Sequence, residues 1–590
     1  MNIRRTFDLL ERYRNTPGNE IALAIKRKDR WHTWSPSEYI QACYTFAYGL
    51  LELGLKKGDK IITATNNRPE WNIADHGMSM CGIIHVPVYS SLSEEEYSFI
   101  TSHSEARMVI VSDKRLYDKF LPGCQECGIE DRLLSFDKIE GVGSWELINQ
   151  AGSGKIDQWK DHLEEIKAGI GESDFASLLY TSGTTGQPKG VMLSHGNLVR
   201  NFIAASGIFM LSPEDKYLSI LPLCHVGGRM GNYQTQYSGA AIYYAESMGT
   251  FARTMKEIQA DGFDAVPRIL EKVYDNIIAK GKTLDGIKKK IFFRAVKLGH
   301  AYDASGKNSW WYRKRLALAD KMIFSKWREA LGGKVRIVGC GGASLQPGLE
   351  KLFWASGVKV INMYGLTETS PIITISSTEK GQYMLGTVGS LIDGVELKIA
   401  DDGEILCRGH NVMLGYYKDK DLTDKAFDSE GWFHTGDIGH LVNGKFLAVT
   451  DRKKEIFKLS NGKFIAPQLI ENRFKQSLLI DNLMITGEHK KFASAVISPD
   501  FEHLGKWADS QNVTFSNREE LICMPEVQLM FQEEINKMNK SMSDHERLVR
   551  FRLVPQFWSP ESGELSPTLK LKRKVISEKY GELIDSIYIQ

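Results

Sequence analysis

A loop dense in glycine and hydroxyl side chains constrains this chain more than any other segment. Its sequence, Thr181-Ser182-Gly183-Thr184-Thr185-Gly186-Gln187-Pro188-Lys189-Gly190, follows a short apolar run that is typical of a buried strand. Glycine lets backbone N–H groups approach an anion closely, hydroxyls donate further hydrogen bonds, and lysine supplies a mobile positive charge. The spacing is not that of a Walker A loop, because two residues separate Gly183 from Gly186. The loop therefore predicts a nucleotide phosphate site.

Short apolar segments alternate with helical patterns along much of the chain. Strands are expected at 61–65, 83–88, 107–112, 217–223, 334–338 and 358–363, and a helix is expected at 75–82. This alternation predicts α/β units around parallel sheets, in which ligands lie beyond the carboxyl ends of the strands. A second pattern, long, helical and basic, occupies 271–329.

The length of the chain predicts more than one domain. A chain of 590 residues exceeds one ordinary hydrophobic core. Between 437 and 454 the pattern changes to short turns with glycine and aspartate, followed by a smaller α+β pattern. We therefore expect an α/β fold with a large N-terminal domain of sheet subdomains at 1–453 and a smaller α+β C-terminal domain at 454–590.

Two further motifs follow predicted strands. Tyr364-Gly365-Leu366-Thr367-Glu368-Thr369 offers a tyrosine that can stack on a purine, then a hydroxyl and a carboxylate that can reach phosphate and Mg²⁺. Gly339-Cys340-Gly341-Gly342-Ala343 has side chains small enough to admit a flat base. Each motif alone is typical of an ordinary turn, so their order along the chain carries the prediction.

Three charged motifs continue the series toward the C-terminus. Asp437 closes the motif 432–437, where a carboxylate can accept hydrogen bonds from both ribose hydroxyls. Asp451-Arg452-Lys453-Lys454-Glu455-Ile456 begins a charged stretch, and the motif 564–573 is basic. Aspartates in turns and runs of charged residues are commonly solvated. These motifs therefore also predict a function only through their order along the chain.

The six motifs in this order resemble those of the adenylate-forming, or AMP-binding, enzymes, which include acyl-CoA synthetases, luciferases and peptide-synthetase adenylation domains. The resemblance covers essentially the whole chain. It implies the adenylate-forming fold with a mobile C-terminal domain, and a reaction in which a carboxylate and ATP give acyl-AMP and pyrophosphate. ATP and CoA are the implied co-substrates and Mg²⁺ the implied cofactor.

The resemblance also implies roles for individual residues. The implied ATP and AMP contacts are Thr181, Ser182, Gly183, Thr184, Thr185, Gly186, Lys189, Gly341, Gly342, Ala343, Tyr364, Gly365, Asp437 and Arg452. Thr367 and Glu368 are implied catalytic residues, and Glu368 together with Thr181 is implied to hold Mg²⁺. Lys454 is implied to be the hinge between the two domains.

A lysine in the motif 564–573 is implied to complete the catalytic set. In the superfamily such a lysine bridges carboxylate, ribose and phosphate oxygens, a task that suits a compact charge on a flexible stem. Lys570 matches best. Lys572 is the alternative, because Leu569 stands where the family has a glycine before the lysine.

Other segments resemble long-chain fatty acyl-CoA synthetases in particular. The segment 221–226 matches the loop that lines the acyl pocket, and its His225 is implied to move between the half-reactions. The segment 266–274 and the basic insert resemble that subfamily, and Lys458 and Gly462 match positions of its CoA channel. Relatives often carry larger residues where this chain has glycines at 227 and 228, which we expect to open the mouth of the pocket.

Three alternative functions are also compatible with these motifs. The acyl group could pass to a carrier protein instead of CoA, or the acid could be an aryl or branched carboxylate. A non-catalytic acyl or nucleotide sensor on the same fold is a third reading. Sequence does not set the oligomeric state.

The remaining features bear on partners and localisation. The net charge of +2 gives no reason to expect nucleic-acid binding. The N-terminus lacks the apolar region of a signal peptide, the cysteines are scattered, and no apolar run is long enough for a bilayer, so we expect a cytoplasmic protein. Aromatic residues beside cations at 288–315 suggest peripheral contact with the inner face of the membrane, with a packed helix pair as the alternative.

Overall fold

A computed structural model describes residues 3–16, 18, 20–181, 188–208, 211–540, 542–566 and 569–589. The chain divides into two compact units. Unit 1 comprises 1–398, 406–434 and 443–447, and unit 2 comprises 399–405, 435–442 and 448–590. Within the described residues, no helix combines the length and the apolar composition that crossing a bilayer requires.

The strands, in chain order, are β1 (Leu23–Arg27), β2 (Arg30–Trp34), β3 (Lys60–Ala64), β4 (Ile84–Val88), β5 (Met108–Val111), β6 (Leu133–Ser135), β7 (Phe175–Thr181), β8 (Lys189–Ser194), β9 (Lys216–Ser219), β10 (Ala241–Tyr244), β11 (Gly262–Ala265), β12 (Ile337–Cys340), β13 (Lys359–Gly365), β14 (Ile372–Ile375), β15 (Ser390–Leu391), β16 (Val395–Ile399), β17 (Glu404–Gly409), β18 (Gly415–Tyr416), β19 (Phe433–Val442), β20 (Phe446–Arg452), β21 (Phe457–Lys458), β22 (Phe464–Ile465), β23 (Ile480–Thr486), β24 (Ser494–Pro499) and β25 (Arg550–Leu553).

The helices, in chain order, are α1 (Asp8–Asn15), α2 (Pro36–Glu52), α3 (Pro69–Met80), α4 (Glu94–Ser104), α5 (Lys114–Glu126), α6 (Glu146–Gly152), α7 (Ile156–Ala168), α8 (His195–Ser206), α9 (Val226–Ser238), α10 (Phe251–Ile258), α11 (Pro267–Lys282), α12 (Gly286–His300), α13 (Trp310–Ala319), α14 (Ser325–Ala330), α15 (Pro347–Ala355), α16 (Lys420–Lys425), α17 (Pro467–Phe474), α18 (Phe501–Gln511), α19 (Arg518–Cys523), α20 (Pro525–Asn539), α21 (Arg573–Lys579) and α22 (Gly581–Tyr588). A π-helical turn at Asp320–Phe324 joins α13 to α14.

Two mixed sheets organise unit 1. One has nine strands in the order β15-β14-β13-β12-β11-β9-β10-β1-β2, and the other has seven in the order β18-β8-β7-β4-β3-β5-β6. The central strands run parallel, as in the neighbouring pairs β11/β12 and β12/β13 of the first sheet and β3/β4 and β3/β5 of the second. Short strands such as β4 and β5 are buried along their whole length, which explains why their sequences are mostly apolar.

The strand predicted at 217–223 is shorter than expected, because β9 ends at Ser219. Pro222 has no N–H to donate to a sheet. The backbone beyond β9 instead bonds to one side chain: Asn67 Nδ2 donates to Leu221 O over 2.7 Å, and Leu223 N donates to Asn67 Oδ1 over 3.1 Å. The segment before His225 is thus an anchored loop.

Unit 2 contains its own smaller sheet. Strand β24 pairs antiparallel with β23 and parallel with β25, and β21 and β22 form a separate hairpin. Apolar side chains from these strands and from helices α17–α20 form one core cluster. This arrangement agrees with the α+β pattern expected for the C-terminal part of the chain.

A buried ion pair fixes α9 within unit 1. Arg229 Nη2 lies 2.5 Å from Asp75 Oδ1, with the two side chains 2% and 1% exposed. Arg229 also donates to Ser177 Oγ on β7 over 2.6 Å, and Tyr233 Oη donates to Asp75 Oδ2 over 2.6 Å. Burial alone would raise the pKa of Asp75, but Arg229 and His85 hold it well below its usual range.

Replacing this arginine should destabilise unit 1. Arg229→Met leaves the Asp75 carboxylate buried without its partner, and we expect the free energy of unfolding to fall by about 3–5 kcal/mol. Denaturant melting curves measure the loss. The matched control is Arg253→Met, because Arg253 pairs with Glu246 over 3.3 Å while its side chain is 57% exposed. A control loss as large as that of Arg229→Met would contradict the prediction.

Candidate active site

Strands β7 and β8 flank the glycine-rich loop. They pair antiparallel with Thr181 opposite Lys189, so the two ends of the loop are adjacent. The predicted contacts Ser182, Gly183, Thr184, Thr185 and Gly186 lie outside the described residues. Thr181 Oγ1 is buried and has no hydrogen-bond partner among the described residues. A buried hydroxyl without a hydrogen-bond partner is a candidate to bind a ligand.

Lys189 and Glu368 form the centre of the site in unit 1. Lys189 Nζ donates to Glu368 Oε1 over 2.9 Å and to Tyr416 Oη over 2.7 Å. Tyr416 Oη in turn donates to Glu368 Oε1 over 2.9 Å. Glu368 is 6% exposed, so its charge depends on these partners. The structure therefore brings together two predicted site residues and one tyrosine that sequence reasoning missed.

The electrostatics of Glu368 follow from this triangle. Burial alone would raise the pKa of Glu368, but the Lys189 ammonium and the hydrogen bonds from Lys189 and Tyr416 bring it below its usual range. Burial and the neighbouring Glu368 charge raise the pKa of Tyr416. At neutral pH the site thus presents the Glu368 carboxylate and a neutral Tyr416 phenol beside Lys189.

The implied Mg²⁺ can be tested against these residues. No group of three or more His, Cys, Asp or Glu in the described ranges is placed to hold a metal ion. Mg²⁺ bound with a nucleotide needs fewer protein ligands, because it keeps waters and binds phosphates with one or two carboxylates. The Glu368 carboxylate and the unpartnered Thr181 hydroxyl satisfy that requirement, so the residues present fit the ion.

The predicted adenine contacts lie at neighbouring strand ends. Cys340 of β12 is in register with Asn362 of β13, so the turn 341–343 lies beside the end of β13 that contains Tyr364. A Cβ at Gly341 would lie 3.2 Å from Met363 O, and Gly342 has φ +82°, a conformation that favours glycine. Gly365 is also required, since a Cβ there would lie 1.7 Å from Pro371 O.

Thr367 and Glu368 share a short 3₁₀ turn, Thr367–Thr369, directly after this strand. Thr367 is half-buried there, whereas Glu368 is buried. The turn thus presents a hydroxyl beside the carboxylate that Lys189 contacts.

His225 caps the N-terminus of α9. Its Nδ1 accepts a hydrogen bond from Gly227 N over 3.0 Å. The expectation that both following glycines open the pocket is wrong for Gly228. A Cβ there would lie 2.3 Å from Pro222 O and 2.8 Å from Leu221 O, so this glycine lets the helix pack against the preceding loop.

Unit 2 brings Asp437 and Arg452 together on its strands. Arg452 Nε lies 3.7 Å from Asp437 Oδ1, and Arg452 Nη1 lies 3.8 Å from Glu455. Asp437 is 7% exposed, which makes its partner necessary. Lys454 follows in an exposed turn. Two predicted ATP and AMP contacts are therefore neighbours in the structure.

The predicted CoA-channel residues lie on the hairpin of β21 and β22. Lys458 and Gly462 are exposed, and Gly462 has φ +84° in the turn between the strands. Lys458 Nζ lies 5.3 Å from the ring centroid of Phe464, whose side chain is 65% exposed.

The segment that carries the two candidate lysines is a closed loop. Leu565 pairs with Leu571, and Lys572 N donates to Glu564 O over 2.8 Å. Nearer the tip, Ser566 N donates to Lys570 O over 2.7 Å. Lys572 is thus at the base of the loop and Lys570 closer to its tip.

A half-buried arginine that sequence reasoning missed secures this loop. Arg573 donates to Glu455 Oε2 over 2.9 Å and to the two carboxylate oxygens of Glu471 over 2.8 and 2.7 Å. These bonds fix the base of the loop beside the turn that holds Lys454. In the sequence Arg573 was one of several cations in a basic run, without a pattern to distinguish it.

The fold and the strand-end residues define a nucleotide-binding α/β enzyme with a separate C-terminal unit. Residues 10–417 match the family model described as AMP-binding enzyme, and 454–590 match that of the AMP-binding enzyme C-terminal domain. The chain belongs to the AMP-binding enzyme family.

Relatives and solved structures agree with that assignment. The chain is 32% identical to a long-chain-fatty-acid–CoA ligase of Mycobacterium bovis, over 92% of this chain and 90% of that protein. It is 31% identical to the peroxisomal long chain acyl-CoA synthetase 7 of Arabidopsis thaliana, over 92% and 79%. The adenylation domain of a carboxylate reductase from Mycobacterium chelonae has the same fold, with a TM-score of 0.77, 21% identity, and coverage of 99% and 91%. The predicted family and fold class are confirmed.

The Tyr416 contact generates a prediction for the first half-reaction. Tyr416→Phe removes hydrogen bonds to two charged groups, each worth about 1.5–3 kcal/mol, so ATP–pyrophosphate exchange should slow at least about tenfold. The control is Tyr417→Phe, which loses a hydroxyl that donates to Glu105 Oε2 over 3.1 Å away from this triangle. Equal rates for Tyr416→Phe and the parent protein would refute the role of this tyrosine.

Proposed function

We propose that this protein activates a long-chain fatty acid with ATP to acyl-AMP and pyrophosphate, then transfers the acyl group to CoA and releases AMP. The observation that carries the proposal is the similarity to curated long-chain-fatty-acid–CoA ligases over more than nine-tenths of the chain. It favours CoA over a carrier protein as acceptor, a long-chain acid over an aryl acid, and an enzyme over a sensor.

The chemistry that these residues support is charge neutralisation. A fatty carboxylate is ionised at pH 7 and attacks the α-phosphorus without a protein base. Lys189 and Thr367 bind the phosphates. Lys570 stabilises the negative charge that develops on the reacting oxygens. Mg²⁺, held by Glu368 and the Thr181 hydroxyl, supplies further positive charge to the phosphates when bound.

Nucleotide positioning is assigned to the strand-end residues. Adenine lies between the turn Gly341-Gly342-Ala343 and Tyr364, and Asp437 with Arg452 binds the ribose. The exposed turn at Gly342 and the 3.7 Å spacing of Asp437 and Arg452 support these roles.

Two features support Lys570 over Lys572 as the catalytic lysine. Leu569 has φ +60°, the left-handed conformation that glycine adopts without penalty, and the superfamily has glycine before this lysine. Lys572 belongs to the base of the loop, where its backbone bonds to Glu564.

For the second half-reaction, we assign Lys454 as the hinge and the exposed hairpin with Lys458 and Gly462 as the CoA contact. The family model of the C-terminal domain begins at residue 454, which supports a domain boundary at 453/454. A change of domain orientation about one exposed residue is a common way to exchange catalytic groups between steps.

The test is production of AMP and acyl-CoA from ATP, Mg²⁺ and CoA across fatty acids of increasing length and aromatic acids. We expect a long-chain optimum. Lys570→Ala should lower the rate of acyl-AMP formation at least about a hundredfold, because it removes a positive charge that stabilises the transition state. Thioester formation from supplied acyl-AMP and CoA should continue near the parent rate.

Lys572→Ala is the matched control and should retain adenylation. If Lys572→Ala loses adenylation and Lys570→Ala retains it, the two roles are exchanged. Acyl-AMP without thioester would indicate a carrier-protein acceptor, and no pyrophosphate from any acid would contradict the enzyme assignment.

Peripheral membrane contact belongs to the same proposal. Residues 288–315 contain nine lysines and arginines and one aspartate. Helix α12 buries an apolar face, as the packed-helix alternative requires, but α13 buries no residue, and its Trp310 and Trp311 are 57% and 67% exposed. Lys314 Nζ lies 4.2 Å from the Trp310 ring centroid. Exposed indoles beside cations suit an anionic lipid headgroup layer.

Vesicle co-sedimentation tests this contact. Replacing Lys288, Lys289 and Lys290 by Gln should weaken binding to phosphatidylserine vesicles by about 1 kcal/mol for each charge, and Trp310→Ala with Trp311→Ala should weaken it further. The control is Leu147→Ala, which removes an apolar side chain that is 48% exposed elsewhere in unit 1. Unchanged sedimentation of both variants would reject membrane contact through this segment.

A further inference from the structure

Asp264 is a buried carboxylate that the proposed adenylation chemistry does not use. It lies on β11 in the nine-stranded sheet and is 4% exposed. Tyr217 Oη, on β9, donates to Asp264 Oδ2 over 2.8 Å. The other oxygen, Oδ1, has no hydrogen-bond partner among the residues that the structure describes. A buried acceptor without a donor destabilises the fold, and more so when it is charged, unless a ligand satisfies it.

Two glycines make room for this carboxylate. A Cβ at Gly231 of α9 would lie 2.2 Å from Asp264 Oδ2 and 2.4 Å from Tyr217 Oη. A Cβ at Gly339, which is in register with Asp264 on β12, would lie 2.2 Å from Oδ1. Any larger residue at either position would collide with the carboxylate. The local backbone therefore accommodates a polar group where an apolar core residue would ordinarily pack.

The position of this group relates it to the acyl pocket. His225 caps α9, and Gly231 is six residues farther along, which corresponds to about 9 Å along the helix axis. On the sheet, Gly339 precedes the adenine turn at Gly341 by two residues. A fatty acid whose carboxylate is activated near His225 and whose chain follows α9 would bring its middle carbons to Asp264.

The hydrogen-bonding capacity of the Asp264 carboxylate determines which fatty acyl chains it can bind. Burial raises the pKa of Asp264 to about 6, although the hydrogen bond from Tyr217 opposes this. Above that pH the carboxylate is an acceptor with no proton to donate. A plain methylene chain offers no donor to Oδ1, whereas a hydroxyl does. Sites built to bond a substrate hydroxyl discriminate strongly against the analogue without it.

We propose that Asp264 and Tyr217 form a subsite of the acyl pocket that binds a hydroxyl group on the chain of the fatty acid. The substrate class would then be long-chain acids with a hydroxyl at one mid-chain position. This inference rests on the proposed function, and on the prediction that the segment 221–226, which ends one residue into α9, lines the acyl pocket.

The full-length protein tests the subsite through a ratio of rates. For saturated acids of equal length, kcat/KM for acyl-CoA formation is measured with no hydroxyl and with a hydroxyl at each successive mid-chain carbon. We expect one position to exceed the plain acid by about tenfold or more. A ratio near one at every position overturns the subsite while leaving the ligase intact. Absence of acyl-CoA from every acid instead refutes the proposed function.

Variants locate the effect at Asp264. Asp264→Leu should bring the ratio to about one, and Asp264→Asn, which keeps the shape of the side chain, should reduce it. The control is Glu350→Gln, at a carboxylate that is 1% exposed but accepts hydrogen bonds from Asn362 Nδ2 and Gly386 N over 2.8 and 2.7 Å. A structural disturbance lowers both rates together and leaves the ratio unchanged. A ratio retained in both Asp264 variants also overturns the subsite.

Discussion

The ion pair between Lys189 and Glu368 joins segments that are 179 residues apart in the chain. Lys189 begins β8 beside the phosphate loop, and Glu368 follows β13 of the other sheet, so the pair links the two sheets of unit 1 at their ligand-binding ends. Because Glu368 is buried, its negative charge depends on Lys189 and Tyr416. A phosphate that draws Lys189 toward it would leave Glu368 available to a cation. The same contact is thus the one that the proposed binding of a nucleotide and Mg²⁺ would rearrange.

Helix α9 connects three parts of unit 1. His225 at its start belongs to the predicted acyl pocket, Arg229 pairs with Asp75 and reaches Ser177 on the strand that leads into the phosphate loop, and Gly231 packs against Asp264. The buried Arg229 pair fixes the helix, because removing either charge would leave the other uncompensated. The predicted acyl side and the predicted phosphate side of the site therefore both contact one helix.

In unit 2, an arginine with two carboxylate partners holds the candidate catalytic loop in place. Arg573 bonds to Glu455 and Glu471, which secures the base of the loop that holds Lys570. Lys570 itself lies away from that base. Charge-assisted hydrogen bonds of this bidentate kind fix orientation as well as distance.

The sequence by itself determined the family, the α/β class and the order of the motifs, because glycine spacing, apolar runs and charged motifs are local properties of the chain. It predicted site roles for Glu368, Asp437 and Arg452. It was wrong about Gly228, which packs against Pro222, and about the end of β9, where the loop bonds to Asn67 instead. Only the tertiary structure decided the partners: Tyr416 with Lys189, Arg573 with Glu455, and Asp264 with Tyr217. None of these pairs has a sequence signature, since each depends on strand register and helix packing between residues far apart in the chain.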